Sequence, residues 1–170
     1  MLSKVSTPSR PLPSTPEEPL DRMSVRILDA LQEDGRMSVQ ALSERVGLSP
    51  APCWRRVRAL EESGVISRYT AVVDPARVGL SACMLTQISL DRHNEAAVES
   101  FEQAVQEFPE ILECFVVTGD ADYLLKIVVR DNAAFEALLQ KFLARVKWVR
   151  QARTSVALRQ VKSVTRVPLD

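Results

Sequence analysis

The sequence predicts an α+β protein with two domains, a winged helix-turn-helix domain followed by a ferredoxin-like βαββαβ domain. The first half carries three amphipathic helical stripes, and a short β-prone segment follows the third. The second half alternates four strand-like runs with two helical stripes in the order β-α-β-β-α-β. A length of 170 residues suits two small domains. The predicted parts are a proline-rich arm at 1–19, the helix-turn-helix domain at 20–73, a linker at 74–80, the ferredoxin-like domain at 81–162 and a tail at 163–170.

Composition bears on four possibilities: nucleic-acid binding, membrane insertion, metal binding and catalysis. The formal net charge is zero, so any nucleic-acid contact must come from a local basic patch. No stretch approaches the roughly 18 apolar residues of a membrane span, and the N-terminus has no apolar signal core, so we expect a cytoplasmic protein without a membrane partner. Cys53, Cys83 and Cys114 lie in apolar patterns without a CxxC spacing, and we expect all three to be buried. With His93 as the single histidine, we expect neither a metal site nor a catalytic residue set.

Each predicted helix of the first half has a cap and a stop in the sequence. The proline-rich arm before them cannot bury enough apolar surface to become ordered, so we expect disorder there. The three pairs of polar N-cap and glycine stop are Asp21 with Gly35, Ser38 with Gly47, and Ser49 with Gly64. Pro50 occupies the first position of the third helix, where proline is favoured. Residues 65–73 are predicted to form a short β-segment that Asp74-Pro75 ends.

Four strands and two helices are predicted in the second half. The helices begin at the caps Asn94 and either Asp131 or Asn132. The second and third strands are apolar on both faces, whereas two helices can cover only one face of the sheet. We therefore expect a second subunit on the other face, and a homo-oligomer. The predicted strands are 81–90, 111–118, 123–130 and 151–161.

The third helix has the character of a DNA recognition helix. At about 100° per residue, Cys53, Val57 and Leu60 face the small core, while Ala51, Arg55 and Arg58 point outward. Arginine pairs with guanine or phosphate, and a small residue near the helix start permits close approach to the major groove. The alternative is a solvated amphipathic helix with an ordinary charged face. The candidate DNA-contacting residues are Ser38, Ser49, Pro50, Ala51, Trp54, Arg55, Arg56 and Arg58.

Three of these candidates call for separate interpretations. Arg56 lies beside the core stripe, which favours a structural or phosphate contact over base reading. Trp54 either inserts beside the DNA backbone or covers the edge of the domain. Ser49 and backbone N–H groups around Pro50 are expected to form a phosphate site at the helix start.

Several separated motifs agree in order and spacing with a known family. They include Leu20-Asp21, Asp34-Gly35-Arg36, Val46-Gly47-Leu48-Ser49, Gly64-Val65-Ile66, Tyr69-Thr70-Ala71 and Thr118-Gly119-Asp120-Ala121-Asp122-Tyr123. Over residues 20 to about 162 the chain resembles the leucine-responsive regulator/asparagine regulator (Lrp/AsnC) family. The resemblance implies a transcriptional regulator of amino-acid-related genes that binds double-stranded DNA and assembles as dimers, often further into octamers. It also implies a small effector, usually an amino acid, bound between sensor domains.

The turn at residues 118–122 is the candidate effector site. The ammonium of an amino acid needs carboxylate or carbonyl partners, and its carboxylate needs N–H donors. Asp120 and Asp122 supply anions, and Gly119 permits close backbone approach. The same residues also suit an ordinary hairpin turn with a glycine at positive φ. Side-chain selectivity is expected from Tyr123, Asn132 and Ser155. Because Ser155 stands where leucine-responsive members carry a bulkier aromatic residue, the resemblance does not specify leucine.

Two other classes of function compete with this interpretation. An enzyme, or the regulatory subunit of one, would need catalytic carboxylates. The pair Glu61 and Glu62 lies on a helix surface and the pair Asp120 and Asp122 in a turn, and neither has an evident cleft partner. An assembly protein whose N-terminal domain binds protein is the other alternative, and a steep salt dependence of DNA affinity would distinguish DNA binding from it.

Overall fold

The computed structural model describes residues 19–91 and 95–169, which divide into two compact units. The N-terminal unit contains the described residues up to Val72 together with residues 162–169. The C-terminal unit spans Val73–Val161. The predicted arm, apart from Pro19, and the predicted cap Asn94 lie outside the described residues, as does His93.

Three helices form the N-terminal unit: α1 (Arg22–Glu33), α2 (Val39–Val46) and α3 (Pro50–Glu62). The predicted caps of the first two are confirmed, since the Asp21 carboxylate accepts from Ser24 N at 2.7 Å and the Ser38 hydroxyl from Ala41 N at 3.2 Å. Gly47 ends α2 with φ of 72°, a conformation that favours glycine. The helices enclose a core of Ile27, Leu28, Ala30, Leu42, Val46, Cys53 and Leu60.

The predicted β-segment at 65–73 is wrong for the described chain. These residues form no strand, and none of the four paired strands lies within the N-terminal unit. A β-prone segment needs a neighbouring strand for its backbone hydrogen bonds, and this unit offers helices instead. Val72 and Val73 remain 75% and 58% exposed. A single turn of 3-10 helix follows at Ala76–Val78.

The C-terminal unit has the predicted ferredoxin-like order. Strands β1 (Ala82–Leu90), β2 (Ile111–Val116), β3 (Tyr123–Val129) and β4 (Val149–Val156) alternate with helices α4 (Glu95–Glu107) and α5 (Asn132–Arg145). The sheet order is β2-β3-β1-β4, and every pairing is antiparallel. The β4 strand begins two residues earlier and ends five residues before its predicted limit at 161. Asp131, one of the two residues considered, caps α5 by accepting from Ala134 N at 2.7 Å.

One face of the sheet packs against the helices, and the other is open in the described chain. Side chains alternate along a strand, so the buried Met84, Ile88 and Leu125 leave their neighbours on the open face. Phe115 lies opposite Leu124 there and is 44% exposed. The two-sided apolar character predicted for β2 and β3 is interrupted by charge. The polar groups on the open face include Gln87, Glu113, Lys126, Arg153 and Ser155.

The cysteines differ from one another in burial. Cys53 is buried in the N-terminal core as predicted, but Cys83 and Cys114 are only half-buried. Cys83 stands on the open face opposite Val128, and Cys114 packs at the edge of the C-terminal core. Burial, with the charge of Glu102 as a smaller cause, raises the pKa of Cys114 to about 11.

Across the described ranges, no helix has both the length and the apolar character to cross a membrane. Within the same residues, no group of three His, Cys, Asp or Glu side chains is arranged to hold a metal ion.

Candidate nucleic-acid interface and ligand-binding turn

Helix α3 is fixed by its apolar stripe and presents the predicted basic face to solvent. Cys53 is 0% and Leu60 5% exposed, and Val57 packs against the same core. Ala51, Arg55 and Arg58 are exposed. The faces predicted from a 100° spacing are therefore those of the structure.

Arg55 is the arginine best placed to meet a ligand. It is exposed and follows the small Ala51 by one helical turn. Among the described residues, none forms an ion pair or a hydrogen bond with its guanidinium. Arginine has five N–H donors in a planar fork, which matches both guanine and phosphate.

Arg58 is held beside Trp54. Its guanidinium carbon lies 5.6 Å from the centroid of the Trp54 ring, and its Nη2 lies 3.5 Å from Glu62 Oε1. Trp54 is 51% exposed and lines a shallow cavity of about 220 Å³ together with Val57, Arg58 and Tyr69. Trp54 is therefore half exposed beside this cavity, a position compatible with both roles considered for it from the sequence.

Arg56 has a structural partner. Its guanidinium forms an ion pair with the carboxylate of Asp21, the residue that caps α1. The hydrogen bond from the Ser24 backbone, followed by that from Arg56, lowers the pKa of Asp21 to about 2. Arg56 thus joins α3 to the start of α1.

The start of α3 has fewer backbone N–H donors than the phosphate site predicted there would need. Ser49 is the N-cap, and its side chain makes no capping hydrogen bond. Pro50 and Pro52 both stand in the first turn and have no N–H, so Ala51 alone of the first three helical residues can donate. A phosphate at this end would have to be bound chiefly by side chains, with the Ser49 hydroxyl among them. Ser38, at the start of α2, uses its oxygen to cap Ala41 but keeps a hydroxyl proton to donate.

Asp122 connects the turn before β3 to the end of β1 through two hydrogen bonds. Asp122 Oδ2 accepts from Leu90 N at 2.9 Å, and Asp122 N donates to Ile88 O at 2.9 Å. Gly119 has φ of 114°, a conformation that disfavours other residues, and a Cβ placed there would meet nothing within 4 Å. Asp120 is exposed, and its carbonyl accepts from the Ser89 hydroxyl at 3.3 Å. The Asp120 carboxylate is therefore the accessible acid of this turn, while that of Asp122 is committed to the backbone.

The remaining predicted effector residues are not gathered around this turn within one chain. Tyr123 is 4% exposed, its ring lies 4.4 Å from that of Phe101, and its hydroxyl donates to Glu102 Oε1 at 3.1 Å. Burial, then the charge of Glu102, raises the pKa of Tyr123. Asn132 follows β3, whereas Gly119 precedes it, so the length of the strand separates them. Ser155 lies on the open sheet face opposite Leu85.

Both units match models of known protein domains. Residues 20–67 match a winged helix-turn-helix DNA-binding domain, and residues 83–167 match the Lrp/AsnC ligand-binding domain. The chain belongs to the Lrp/AsnC family. The leucine-responsive regulatory proteins of Escherichia coli K12 and Klebsiella pneumoniae are each 45% identical to it over 152 residues, which cover 89% of this chain and 93% of theirs. The protein is accordingly a DNA-binding transcriptional regulator with a ligand-binding domain, and its family and fold were predicted correctly.

Solved structures of Lrp/AsnC regulators share this fold. An AsnC family regulator from Agrobacterium tumefaciens has a TM-score of 0.84 at 39% identity, covering 88% of this chain and 97% of its own. A transcriptional regulator from Neisseria meningitidis, solved as a complex with L-Met, has a TM-score of 0.84 at 38% identity, covering 89% and 97%.

Several contacts of this Lrp/AsnC chain escape sequence reasoning. The Tyr69 hydroxyl donates to Glu61 Oε1 at 3.0 Å, and its ring lies against Gly35, which ties the segment after α3 back onto the helices. Arg45 on α2 is ion-paired with Glu33 on α1. The residue types are visible in the sequence. Their partners, however, are 8 to 34 residues away along the chain, and no local periodicity predicts such pairs.

Proposed function

We propose that this regulator binds specific double-stranded DNA sites in or near amino-acid-related genes and that a small amino acid modulates this binding. The observation that carries the proposal is the presentation of α3, with Cys53 and Leu60 buried and Arg55 and Arg58 facing solvent. A helix held in this way can enter the major groove with its first turns. Because the net charge of the chain is zero, this local face must supply the attraction to DNA.

Within this interface the side chains have different roles. Arg55 reads a base or binds a phosphate from its unengaged position, and Arg58 does so by leaving Glu62, a weak exposed i,i+4 pair. Ala51 permits close approach, and Ser38, Ser49 and Trp54 contact the DNA backbone. Arg56 acts indirectly by holding α3 on Asp21, and Pro50 fixes the first turn of the helix.

The open face of the sheet is proposed as a self-association surface. Phe115 and Leu85 are 44% and 39% exposed there, in a sheet whose other face packs against α4 and α5. A twofold arrangement would cover this face with its own copy and bring two DNA-reading helices into one particle. Such a dimer prefers a pseudo-palindromic site with half-sites about one or more helical turns apart. Further assembly of dimers, as the family resemblance implies, belongs to the same proposal.

The ligand proposed for the turn is a zwitterionic amino acid. The Asp120 carboxylate suits the ammonium, and the backbone at Gly119 suits close approach of the ligand carboxylate. The L-Met complex of the Neisseria meningitidis regulator and the names of the leucine-responsive relatives support an amino acid in this role. Asn132 and Ser155 can complete the site only where sensor domains of different copies meet, because within one chain they lie away from the turn.

The proposal requires no cofactor and assigns no catalytic step. It places the protein in the cytoplasm, where bacterial DNA is found, without a membrane partner. Its partners are DNA, further copies of the chain and the amino acid.

Selection of binding sites from fragmented genomic DNA tests the DNA-binding part. We expect recovery of a short set of sites whose affinity falls steeply with salt, since phosphate contacts release counterions. Recovery of sequences at random, with affinity independent of salt, would refute the proposal. A thermal-shift screen of the twenty amino acids tests the ligand, and no stabilisation at millimolar concentration would leave the C-terminal unit as an assembly domain only.

A further inference from the structure

The C-terminal segment of the chain lies on the first helix of the DNA-binding unit. Residues 162–169 follow the C-terminal unit in sequence but are part of the N-terminal unit. Arg166 forms ion pairs of 3.0 Å with Asp29 and of 3.0 Å with Glu33, both on α1. Leu169 packs, half-buried, against the core of the three helices.

A side-chain amide adds a third kind of contact. Gln32 Oε1 accepts from Val167 N at 2.6 Å, and Gln32 Nε2 donates to Val167 O at 3.1 Å. One side chain thus pairs with both backbone groups of a single residue, as a neighbouring strand would. Asp29, Gln32 and Glu33 are three and four residues apart, so they share one face of α1.

The contacts are specific but weak enough to open. Ion pairs, backbone hydrogen bonds and an apolar anchor converge on the four residues from Arg166 to Leu169. Arg166 is 49% exposed, and its partners Asp29 and Glu33 are 36% and 43% exposed. Exposed ion pairs of this kind contribute little individually and weaken as salt increases.

We propose that the segment Arg166–Leu169 is a reversible clasp on α1, through which changes in the ligand-binding unit reach the DNA-binding unit. The chain passes between the two units at 72/73 and again at 161/162. The second passage begins five residues after β4, the strand that carries Ser155 on the open sheet face. A movement of β4 that pulls on the connected residues 162–169 would therefore oppose the docking of that segment on α1. The transmission step rests on the proposed function, whereas the clasp itself does not.

Trypsin cleavage of the full chain at Lys162 measures whether the segment is docked. The rate of cleavage follows the open population when opening is fast. The double substitution Asp29→Asn with Glu33→Gln removes both partners of Arg166 and leaves Lys162 intact. We expect cleavage to become about five- to tenfold faster, a size consistent with the loss of two exposed ion pairs. In wild type, added salt should speed cleavage, and in the double variant it should have little effect.

Two further variants separate clasp opening from damage to α1. Arg45→Gln removes the other ion pair of Glu33 but keeps Arg166, and it should be cleaved as slowly as wild type. Arg166→Gln opens the clasp from the segment's side without changing α1, and it should match the double variant. Equal cleavage of wild type and Arg166→Gln overturns the clasp.

DNA affinity with and without L-leucine or L-methionine tests transmission, using a fragment that wild type selects from genomic DNA. Without amino acid, Arg166→Gln should bind DNA within about twofold of wild type, but it should lose more than about half of the wild-type response to the amino acid. A wild-type response in Arg166→Gln overturns transmission through the segment. A wild type that binds DNA but responds to neither amino acid also counts against transmission. Failure of wild type to bind any DNA refutes the proposed function and transmission with it, while the cleavage rates still decide the clasp.

Discussion

The carboxylate of Asp21 is shared between two helices, since it caps α1 through Ser24 N and forms an ion pair with Arg56 on α3. The orientation of α3 is therefore tied to the N-cap residue of α1 as well as to its neighbour α2. Substituting Arg56 is expected to weaken DNA binding by loosening α3, which differs from losing a direct contact.

This relationship predicts a pH dependence of stability. The folded pKa of Asp21 is lowered to about 2 from 3.8, so its contribution is complete above the unfolded value and is lost as pH falls through the folded one. Asp21→Asn keeps a good N-cap but removes the charge. The melting temperature of Asp21→Asn should therefore lie below that of wild type at pH 5, and the difference should shrink toward pH 2. Thermal unfolding followed by circular dichroism measures it, and a difference that stays constant over this range would contradict the prediction.

A second prediction concerns base reading by α3. Arg55→Ala should weaken binding to the selected DNA site by about 1–3 kcal/mol if the side chain pairs with a base, and should relax the preference at one position of the site. The melting temperature should be unchanged, because Arg55 is exposed and forms no ion pair or hydrogen bond with another described residue. Fluorescence anisotropy against the selected site and single-base variants provides the measurement. Arg26→Ala, which removes an exposed charge from α1, is the control. Unchanged affinity for Arg55→Ala, Arg58→Ala and their combination would refute the assignment of this face.

The two acids of the turn should behave differently when substituted. Asp122→Ala removes the acceptor of the Leu90 N–H and should destabilise the protein by about 1–2 kcal/mol. Asp120→Ala should leave stability near that of wild type while weakening amino-acid binding, since its carboxylate is exposed. Denaturant unfolding and calorimetric titration with L-leucine or L-methionine separate the two effects. Wild-type ligand affinity in Asp120→Ala would exclude that carboxylate from the site.

A fourth prediction concerns assembly. Phe115→Glu places a charge on the open face of the sheet and should shift the protein toward monomers. Val98→Glu is a matched control, because Val98 is 43% exposed on α4 and Phe115 is 44% exposed. Analytical ultracentrifugation at micromolar concentration measures the change. A wild type that sediments as a monomer would contradict self-association itself, and loss of assembly in both variants would contradict the choice of face.

Much of the fold could be predicted because its signals are local. Caps, glycine stops and a 3.6-residue spacing fix the three N-terminal helices, and β-branched runs between helical stripes fix the order of the C-terminal unit. The faces of α3 follow from the same spacing. The segment 65–73 was predicted wrongly because β-propensity describes what a residue tolerates, and a strand also needs a partner to pair with.

The candidate site was less predictable, because the roles of its residues depend on distant partners. Asp120 and Asp122 are both aspartates, so the sequence does not distinguish their roles. Only the packing of the turn against β1 brings the Asp122 carboxylate to the Leu90 N–H. Alternation along β3 puts Tyr123 on one face of the sheet and its neighbour Leu124 on the other, but the sequence does not say which face is covered. Packing against α4 decides this and places the Tyr123 ring beside Phe101. By contrast, the missing N–H donors at the start of α3 follow directly from the sequence, because Pro50 and Pro52 both stand in its first turn.

The return of residues 162–169 to α1 makes the DNA-binding unit discontinuous along the chain. On the ribosome, the helices emerge first and fold while the rest of the chain is still being made. The residues that complete their outer surface emerge only after the whole ligand-binding unit has been synthesised. The unit that begins folding first is therefore finished last, and a nascent regulator acquires its complete DNA-reading unit only after its sensor.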